Sequence, residues 1–438
     1  MRRVQISLLL AILAGLLINH PALANKLTLV NNSGYADKEI YLIVWGKSYT
    51  GDLTIPHHLN LLKGDDFPAC DPSDNTVTVY KDDGTHYSDG YCNYWFTLDQ
   101  IKKADGSYWF EFPRINSGRL YISFHKPVYL HINQDQPTDP ILMREPDLNN
   151  PDDPSYKTMF DKFEFTYDTA GLHANTTCVD YFCLPLKFEM MAGETHVGTL
   201  GFPCSQAAVI LALEANPLLR TLKTPYRFYS PATHTTDPKV HFDDNYFNNY
   251  INYCWNHYKT NKLTITGVVN AESFSAVGTV QTINTGGGDV ETLVLDDTEH
   301  GETYNIKKPS SKQVFACGGA GVFIPEGSGN TGLRDGYIKN EVASALNRTV
   351  MHLEFSEWKD TSKHYQQNDL PDDNYKTNIY AQILHRLAIN HLIYGYAWDD
   401  KYDQESYLSS ETGTDLKVTI NNCKAPVVPV LSLLLLDK

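Results

Sequence analysis

Alternating apolar and polar residues dominate the first half of the chain and predict β-strands. Between residue 26 and about residue 190, short runs with period two are separated by Pro, Gly, Asn and Ser. The clearest predicted strands are 27–30, 39–45, 108–112, 119–124, 128–132, 163–167 and 174–184. The stretch 134–153 is rich in Asp and Pro and is predicted to be a solvated loop. Many short strands at this spacing are typical of a β-barrel or β-sandwich.

After Met190 the pattern changes and predicts helices. Ser205 is a candidate N-cap for a helix over 205–213, and Asp243 for a helix over 243–258. The second of these helices carries a buried stripe at i, i+3 and i+4 spacing, formed by Phe247, Tyr250, Ile251, Cys254, Trp255 and Tyr258. A strand over 262–268 and helices over 335–351 and 374–393 complete the prediction of a mixed α/β region.

The end of the chain returns to period two. Leu416, Val418 and Ile420 alternate in a last strand that ends at Cys423, and we expect it to rejoin the N-terminal barrel. We therefore predict a β-rich protein of two domains, a barrel or sandwich with an inserted mixed α/β domain and a wide cleft between them. The predicted boundaries are 25–191 with 395–424 for the barrel, 192–394 for the α/β domain and 425–438 for a C-terminal tail.

The first 24 residues have the three parts of a secretory signal peptide. Arg2 and Arg3 give a basic start, residues 8–18 are apolar, and a small-residue cleavage site ends at Ala24. The alternative is an uncleaved membrane anchor, but the apolar run is shorter than the roughly 20 residues that a spanning helix needs. We expect a secreted protein that begins near Asn25.

Charge and cysteine content restrict the classes of partner. The formal net charge is −16, and an acidic surface repels phosphate backbones and anionic lipid, so nucleic acid and membrane surfaces are poor candidates. Eight cysteines in a secreted chain are expected to form some disulfides, with connectivity left open. They include no CxxC pair, which argues against structural zinc. We expect a monomer without metal or cofactor.

One glycine-rich motif suggests a nucleotide site, but its context does not fit. Residues 327–332 read GSGNTG and match GxGxxG. A dinucleotide site also requires a βαβ unit with an acidic residue about 20 positions further on, and that unit is not evident. A flexible loop is the preferred interpretation.

Two acidic residues lie in predicted strands among apolar neighbours, where an unpaired carboxylate is costly. Alternation places Glu164 on the face opposite Phe163 and Phe165, and Asp180 opens onto the same surface if the two strands pair. One interpretation is structural, with an acid paired to an arginine such as Arg119. The other is glycoside hydrolysis, which requires one acid and one nucleophile or base.

The stretch that holds both acids, FEFTYDTAGLHANTTCVDYFCLPL, resembles the signature of glycoside hydrolase family 64. Members of that family are β-1,3-glucanases built on a thaumatin-like barrel. Further segments resemble the family in its own order, namely GTLGFPCSQAAVILAL, CWNHYKTNKLTITG, ALNRTVM and NIYAQILHRLAINHLIYGYAWDD. The resemblance covers most of residues 26–423.

The resemblance implies an endo-acting, inverting hydrolase of β-1,3-glucan, with Glu164 as general acid and Asp180 as general base. In an inverting enzyme the two carboxyl groups lie about 6.5–9.5 Å apart. It further implies that Thr166, Asp168 and Thr177 line the sugar-binding groove. The alternative is a thaumatin-like protein of the antifungal type that binds glucan without cleaving it.

Four further residues bear on the groove. We expect Arg119 to orient a carboxylate and Trp398 to stack on a pyranose ring. His173 lies in the groove where family members often carry Trp, so stacking is expected to be weaker there. Cys178 stands where the family usually has Gln, close to Asp180 in sequence.

Overall fold

The computed structural model gives the architecture of most of the chain. It describes residues 25–48, 54–61, 66–233, 235–284, 286–368, 370–371 and 375–424. The predicted signal peptide and the predicted C-terminal tail lie outside the described residues. Among the residues described, no helix combines the length and the apolar character that crossing a membrane requires.

The described residues form twenty strands and five α-helices. The strands are β1 Asn25–Asn31, β2 Ile40–Ser48, β3 Pro56–His58, β4 Phe96–Thr97, β5 Tyr108–Phe112, β6 Ile115–Phe124, β7 His131–Asn133, β8 Leu142–Arg144, β9 Met159–Asp168, β10 Gly171–Thr176, β11 Tyr181–Phe182, β12 Leu186–Ala192, β13 Thr195–Gly201, β14 Phe228–Tyr229, β15 Leu263–Val269, β16 Glu272–Asn284, β17 Asp289–Asp297, β18 Glu302–Lys307, β19 Tyr407–Ser410 and β20 Asp415–Ile420. The helices are α1 Gln206–Glu214, α2 Asn248–His257, α3 Ser311–Ala316, α4 Gly329–Asn347 and α5 Ile379–Leu387.

Two sheets are built mainly from the first half of the chain. The larger has seven strands in the order β19-β10-β9-β6-β2-β3, with β4 paired to β2. The smaller has five strands in the order β13-β12-β20-β1-β5. In it, β20 pairs in parallel with β1 and antiparallel with β12. The prediction that the last strand rejoins the N-terminal strands is therefore confirmed.

A third sheet lies in the predicted α/β region. Strands β15 to β18 form a four-stranded antiparallel meander, and α4 contacts β15 and β18. The glycine-rich motif lies partly inside α4, which begins at Gly329, and the residues just before the motif form turns instead of a strand. A dinucleotide-binding βαβ unit is therefore not formed at this motif.

Several predicted elements agree with the structure and others differ in extent. The Ser205 hydroxyl accepts a hydrogen bond from the N–H of Ala208, as expected of an N-cap. The Asp243 cap is wrong, because its carboxylate accepts from Asn245 in a turn and α2 begins only at Asn248. Of the strand predicted over 128–132, only the end belongs to β7. The helix predicted over 374–393 is shortened to α5, which a 3-10 turn follows.

Buried apolar side chains form two clusters. The first joins the two large sheets with α1 and with Tyr380 and Leu384 of α5. The second begins at Tyr246 and contains the predicted stripe of α2, all of whose members are buried. The chain passes from the first cluster to the second between Val240 and Tyr246. A domain boundary at residue 192 stays a prediction, and β13 and α1, which follow that residue, pack with the first cluster.

The cysteines differ from expectation, because all eight carry free thiols. Six are buried, and they pack as small apolar side chains. Burial raises the pKa of the Cys70 and Cys92 thiols to about 12. At neutral pH these thiols are therefore protonated.

Candidate active site

A row of side chains crosses one face of the seven-stranded sheet. Residues directly opposite each other on neighbouring strands are Trp45 on β2, Arg119 on β6, Glu164 on β9, Asn175 on β10 and Tyr407 on β19. Opposite residues in antiparallel strands point to the same face. The register of four strand pairs therefore aligns one carboxyl group, one guanidinium group, one amide and two aromatic side chains in a single row.

Glu164 is held by three side chains. Its Oε1 atom lies 3.7 Å from Arg119 Nε and 3.5 Å from Lys162 Nζ. Its Oε2 atom accepts a hydrogen bond of 3.0 Å from Asn175 Nδ2. The structural interpretation of Glu164 is thus correct as far as the ion pair with Arg119 goes. The same contacts fix the direction of the carboxyl group, which a catalytic role also requires.

A β-bulge lies beside this row. The register of β6 against β9 shifts between Ile115 and Gly118, and Ser117 has a positive φ of 52°. Its N–H donates to the Thr166 hydroxyl at 3.1 Å. A Cβ atom on Gly118 would lie 2.8 Å from the carbonyl oxygen of Phe165, so the two strands approach this closely only because residue 118 is glycine. Bulges next to active sites commonly redirect side chains.

The row borders a cavity of about 440 Å³, called here the Glu164 cavity. It contains three of the predicted groove residues, Thr166, Asp168 and His173. The complete lining is Ser117, Gly118, Arg119, Glu164, Phe165, Thr166, Asp168, His173, Asn175 and Tyr407. Arg119, which we expected to orient a carboxylate, lies in the same lining.

Tyr407 is a groove residue that the sequence did not reveal. Its hydroxyl lies 2.6 Å from His173 Nδ1, and the two rings are stacked with centroids 6.0 Å apart. His173 Nε2 lies 3.8 Å from Asp168 Oδ1 on its other side. Strand β19 has only four residues, with the sequence YLSS, so no signal from periodicity marked Tyr407.

Asp180 does not lie on a continuous strand, which corrects the prediction of a strand over 174–184. Strand β10 ends at Thr176, and Asp180 occupies a bend immediately before β11. Its main-chain oxygen accepts hydrogen bonds from Ser230 N at 2.9 Å and Thr233 Oγ1 at 3.3 Å. The bond from Ser230 continues the short pairing of β11 with β14, in which Tyr181 lies opposite Tyr229. The residue itself is exposed.

A buried carboxylate anchors the segment that follows Asp180. Asp161, on the inward face of β9, is 3% exposed. Its Oδ2 atom accepts hydrogen bonds from the main-chain N–H groups of Cys183 at 3.1 Å and Leu184 at 3.0 Å. Burial raises the pKa of Asp161 to about 7, although these hydrogen bonds act in the opposite direction. Strand β9 thus carries Glu164 on its outward face, and on its inward face it carries Asp161, which holds the segment after Asp180 by hydrogen bonds.

A second cavity, of about 350 Å³, is called here the Asp180 cavity. Besides Asp180 it is lined by Tyr121 and Lys162 of the seven-stranded sheet and by Phe315 of α3. Lys162 also contacts Glu164, so one side chain connects the surroundings of the two acids. The two cavities therefore adjoin along strand β9.

Glu145 is a further carboxylate between the two acids. It follows β8 and lines the Asp180 cavity. Its Oε1 atom lies 3.2 Å from Arg119 Nε, and its Oε2 atom accepts a hydrogen bond of 2.5 Å from the Tyr121 hydroxyl. Burial, with the charge of Glu145, raises the pKa of Tyr121 well above its usual range, so the hydroxyl stays a donor. Arg119 is thus shared between Glu145 and Glu164.

Two predicted groove residues line neither cavity. Thr177 forms a β-bridge with Tyr394, and its hydroxyl accepts from the N–H of Val179 at 3.4 Å. Trp398 packs against the second apolar cluster, and its main-chain oxygen accepts from Ser344 Oγ. Trp398 thus lies outside the linings of both cavities, and its stacking on a pyranose ring stays a prediction.

Among the residues that the structure describes, no group of three or more His, Cys, Asp or Glu side chains is placed to hold a metal ion. The polar groups at the two cavities are carboxylates, cationic side chains, two amides, an imidazole and hydroxyls. Such a set can exchange protons and hydrogen-bond hydroxyl-rich molecules.

A family model described as beta-1,3-glucanase, that of glycoside hydrolase family 64, matches residues 24–420. The chain belongs to glycoside hydrolase family 64. The match includes both cavities and both apolar clusters, and it confirms the resemblance seen in the sequence.

Two relatives carry the name glucan endo-1,3-beta-glucosidase, one from Arthrobacter sp. (strain YCWD3) and one from Cellulosimicrobium cellulans. Each is 23% identical over 297 residues, which is 66% of this family 64 chain and 49% of the relative. The alignment thus spans about half the length of these relatives.

Solved structures agree with the family assignment. A beta-1,3-glucanase domain of family 64 from Clostridium beijerinckii is 26% identical, with a TM-score of 0.73, and the match covers 91% of this chain and 98% of that one. A laminaripentaose-producing beta-1,3-glucanase of family 64 from Paenibacillus barengoltzii, complexed with laminarihexaose, is 23% identical with a TM-score of 0.61, covering 91% and 74% respectively. At this lower identity, the likeness to the second structure is evidence for the fold alone.

Proposed function

We propose that this protein hydrolyses internal linkages of β-1,3-glucan. The observation that carries the proposal is the outward-facing Glu164 in a cavity on the sheet of a family 64 chain, with Asp180 in the adjoining cavity. Relatives named glucan endo-1,3-beta-glucosidase and a family 64 structure complexed with laminarihexaose support the choice of substrate. No cofactor takes part in the proposed reaction.

In the proposed mechanism Glu164 is the general acid and Asp180 the general base. Glu164 gives its proton to the oxygen of the leaving sugar, and Asp180 takes a proton from the water that attacks the anomeric carbon from the opposite side. The product then has the inverted configuration. Arg119 and Lys162 stabilise the carboxylate that Glu164 becomes, and Asn175 keeps it in position.

We also propose an architecture and a location for this protein. The two large sheets form a thaumatin-like barrel, the mixed α/β region is a second domain inserted into it, and substrate occupies the cleft between them. The chain acts as a secreted monomer after cleavage near Ala24. Its partner is neutral polysaccharide, because a net charge of −16 opposes contact with nucleic acid and anionic membranes.

Product analysis on laminarin tests the function. The purified mature protein should release reducing ends, and early samples examined by NMR should contain the α-anomer, the inverse of the β-linkage that is cut. Release of the β-anomer first would contradict inversion. Binding of laminarin without release of reducing ends would contradict the enzyme and favour a glucan-binding protein.

A further inference from the structure

Tyr407 is a large aromatic side chain that lines the Glu164 cavity and remains 39% exposed. It begins the edge strand β19, which pairs with β10. Asn175 lies directly opposite Tyr407, and His173 lies diagonally across from it, within reach of an aromatic ring. Ligand-binding sites commonly combine aromatic side chains with a small number of polar groups.

The tyrosine ring is held in one orientation. Its hydroxyl meets His173 Nδ1 at 2.6 Å, and the two ring planes differ by 23°. His173 is in turn flanked by Asp168, whose Oδ1 atom lies 3.8 Å from Nε2. Since the polar tip is already bonded, the apolar part of the ring is the part left to meet a ligand.

The sheet register fixes how far Tyr407 lies from Glu164. Glu164 and Tyr407 belong to the same cross-strand row, with Asn175 between them. Neighbouring strands lie about 4.7–4.9 Å apart, so the two residues are separated by about 9–10 Å across the sheet. A short run of linked pyranose rings spans that distance.

The surroundings match the chemistry of a sugar. A pyranose presents C–H groups on its flat faces and hydroxyl groups around its edge. The flat ring of Tyr407 shares the lining of this cavity with the amide of Asn175, the carboxylate of Asp168 and the hydroxyl of Thr166. An aromatic platform with polar groups at its edge meets both parts of such a ligand.

We propose that Tyr407, oriented by His173, is a stacking platform for a glucosyl unit at a distance from the bond that is cut. The inference rests on the proposed function and adds to it a residue for holding the chain. The platform binds long oligosaccharides and has no part in the chemical step. Its loss therefore weakens binding of substrates long enough to reach it.

Three variants test the platform. Tyr407→Ala removes the ring, Tyr407→Phe keeps the ring and loses the bond to His173, and Tyr80→Ala removes another exposed tyrosine, at a separate cavity. The substrates are β-1,3-linked glucose oligosaccharides of increasing length, and kcat and KM are measured for each. Migration through gels containing laminarin measures binding independently of turnover, and thermal unfolding reports folding.

For the longest substrates, Tyr407→Ala should raise KM about three- to tenfold with kcat little changed. The shortest cleaved substrates should show no such effect, Tyr407→Phe should keep most of the binding, and Tyr80→Ala should behave as wild type. Equal KM values for Tyr407→Ala and Tyr80→Ala at every length would overturn the inference. An effect of the same size at all lengths would also overturn it.

The gel assay separates this inference from the proposed function. If wild type binds laminarin without cleaving it and Tyr407→Ala has lost that binding, the enzyme proposal fails and the platform stands. If wild type cleaves laminarin and Tyr407→Ala retains full affinity, the platform fails and the enzyme stands. Wild type that neither binds nor cleaves laminarin overturns both.

Discussion

Glu164 and Asp180 are carried by two different kinds of backbone. Glu164 lies in the middle of β9, a ten-residue strand paired on both sides, and three neighbouring side chains hold its carboxyl group. Asp180 lies in a bend, and residues distant in sequence, Ser230 and Thr233, fix its main chain. One acid is positioned by the sheet, the other by tertiary hydrogen bonds.

The difference matters for how each position tolerates change. A residue in a paired strand keeps its direction as long as the register holds. A residue in a bend depends on each of the few groups that hold the bend. Substitutions around Asp180 are therefore expected to disturb function through the backbone, and substitutions around Glu164 through charge.

The largest effect is expected from the acids themselves. Glu164→Gln and Asp180→Asn should each lower kcat on laminarin about 10²–10⁴-fold, the usual contribution of a general acid or base. Release of reducing ends measures the rate. Thermal unfolding should be close to that of wild type, since both amides are nearly isosteric with the acids. Activity that survives either substitution would reject the role given to that residue.

Asp161, whose carboxyl group holds the segment after Asp180, predicts a pH dependence of stability. The pKa of Asp161 is raised from its usual 3.8 to about 7 in the folded protein. The folded state therefore holds this proton more tightly than the unfolded state. The stabilising contribution of protonated Asp161 to the free energy of unfolding is fully present below about pH 4 and is lost as the pH rises through about 7.

Asp161→Asn removes that titration. As the pH rises from about 4 to about 8, wild type should lose free energy of unfolding relative to the variant, by at most about 4 kcal/mol. Urea unfolding at several pH values measures it, and titrations common to both proteins cancel in the difference. If the difference in free energy of unfolding between the two proteins does not vary with pH, the raised pKa of the buried Asp161 carboxyl group is contradicted.

Glu145 lies between the two regions and should have a smaller effect. Glu145→Gln keeps an acceptor for Tyr121 and removes the charge that faces Arg119, so Arg119 is left to Glu164 alone. We expect kcat/KM on laminarin to fall about tenfold and its pH profile to move. Glu189→Gln is the matched control, because Glu189 is paired with two lysines on the five-stranded sheet. Equal effects of the two substitutions would show that Glu145 has no special part.

The smallest effect is expected outside both regions. Trp398→Phe should change KM for laminarin by less than about twofold, since Trp398 lines neither cavity and a smaller ring still fills its place in the apolar cluster. Steady-state kinetics with a folding control would check it. A KM raised severalfold in a variant with unchanged thermal unfolding would support the stacking role predicted for Trp398.

Period-two alternation was sufficient to predict β9, the outward direction of Glu164 and the return of the last strand to the N-terminal sheet. It failed at Asp180, where local sequence still alternates but tertiary hydrogen bonds bend the chain. Glu145 was missed because it follows a three-residue strand inside a predicted loop. Its contact with Arg119 depends on how that loop folds over β6, which no local pattern encodes.

The position of β20 has a consequence for how the molecule forms. This strand lies at the centre of the five-stranded sheet, between β1 and β12, yet it is made of residues 415–420. The sheet cannot close until nearly the whole described chain has emerged from the ribosome. Pairings between residues so far apart in sequence form slowly. While these strands are unpaired, a chaperone can still hold the chain unfolded.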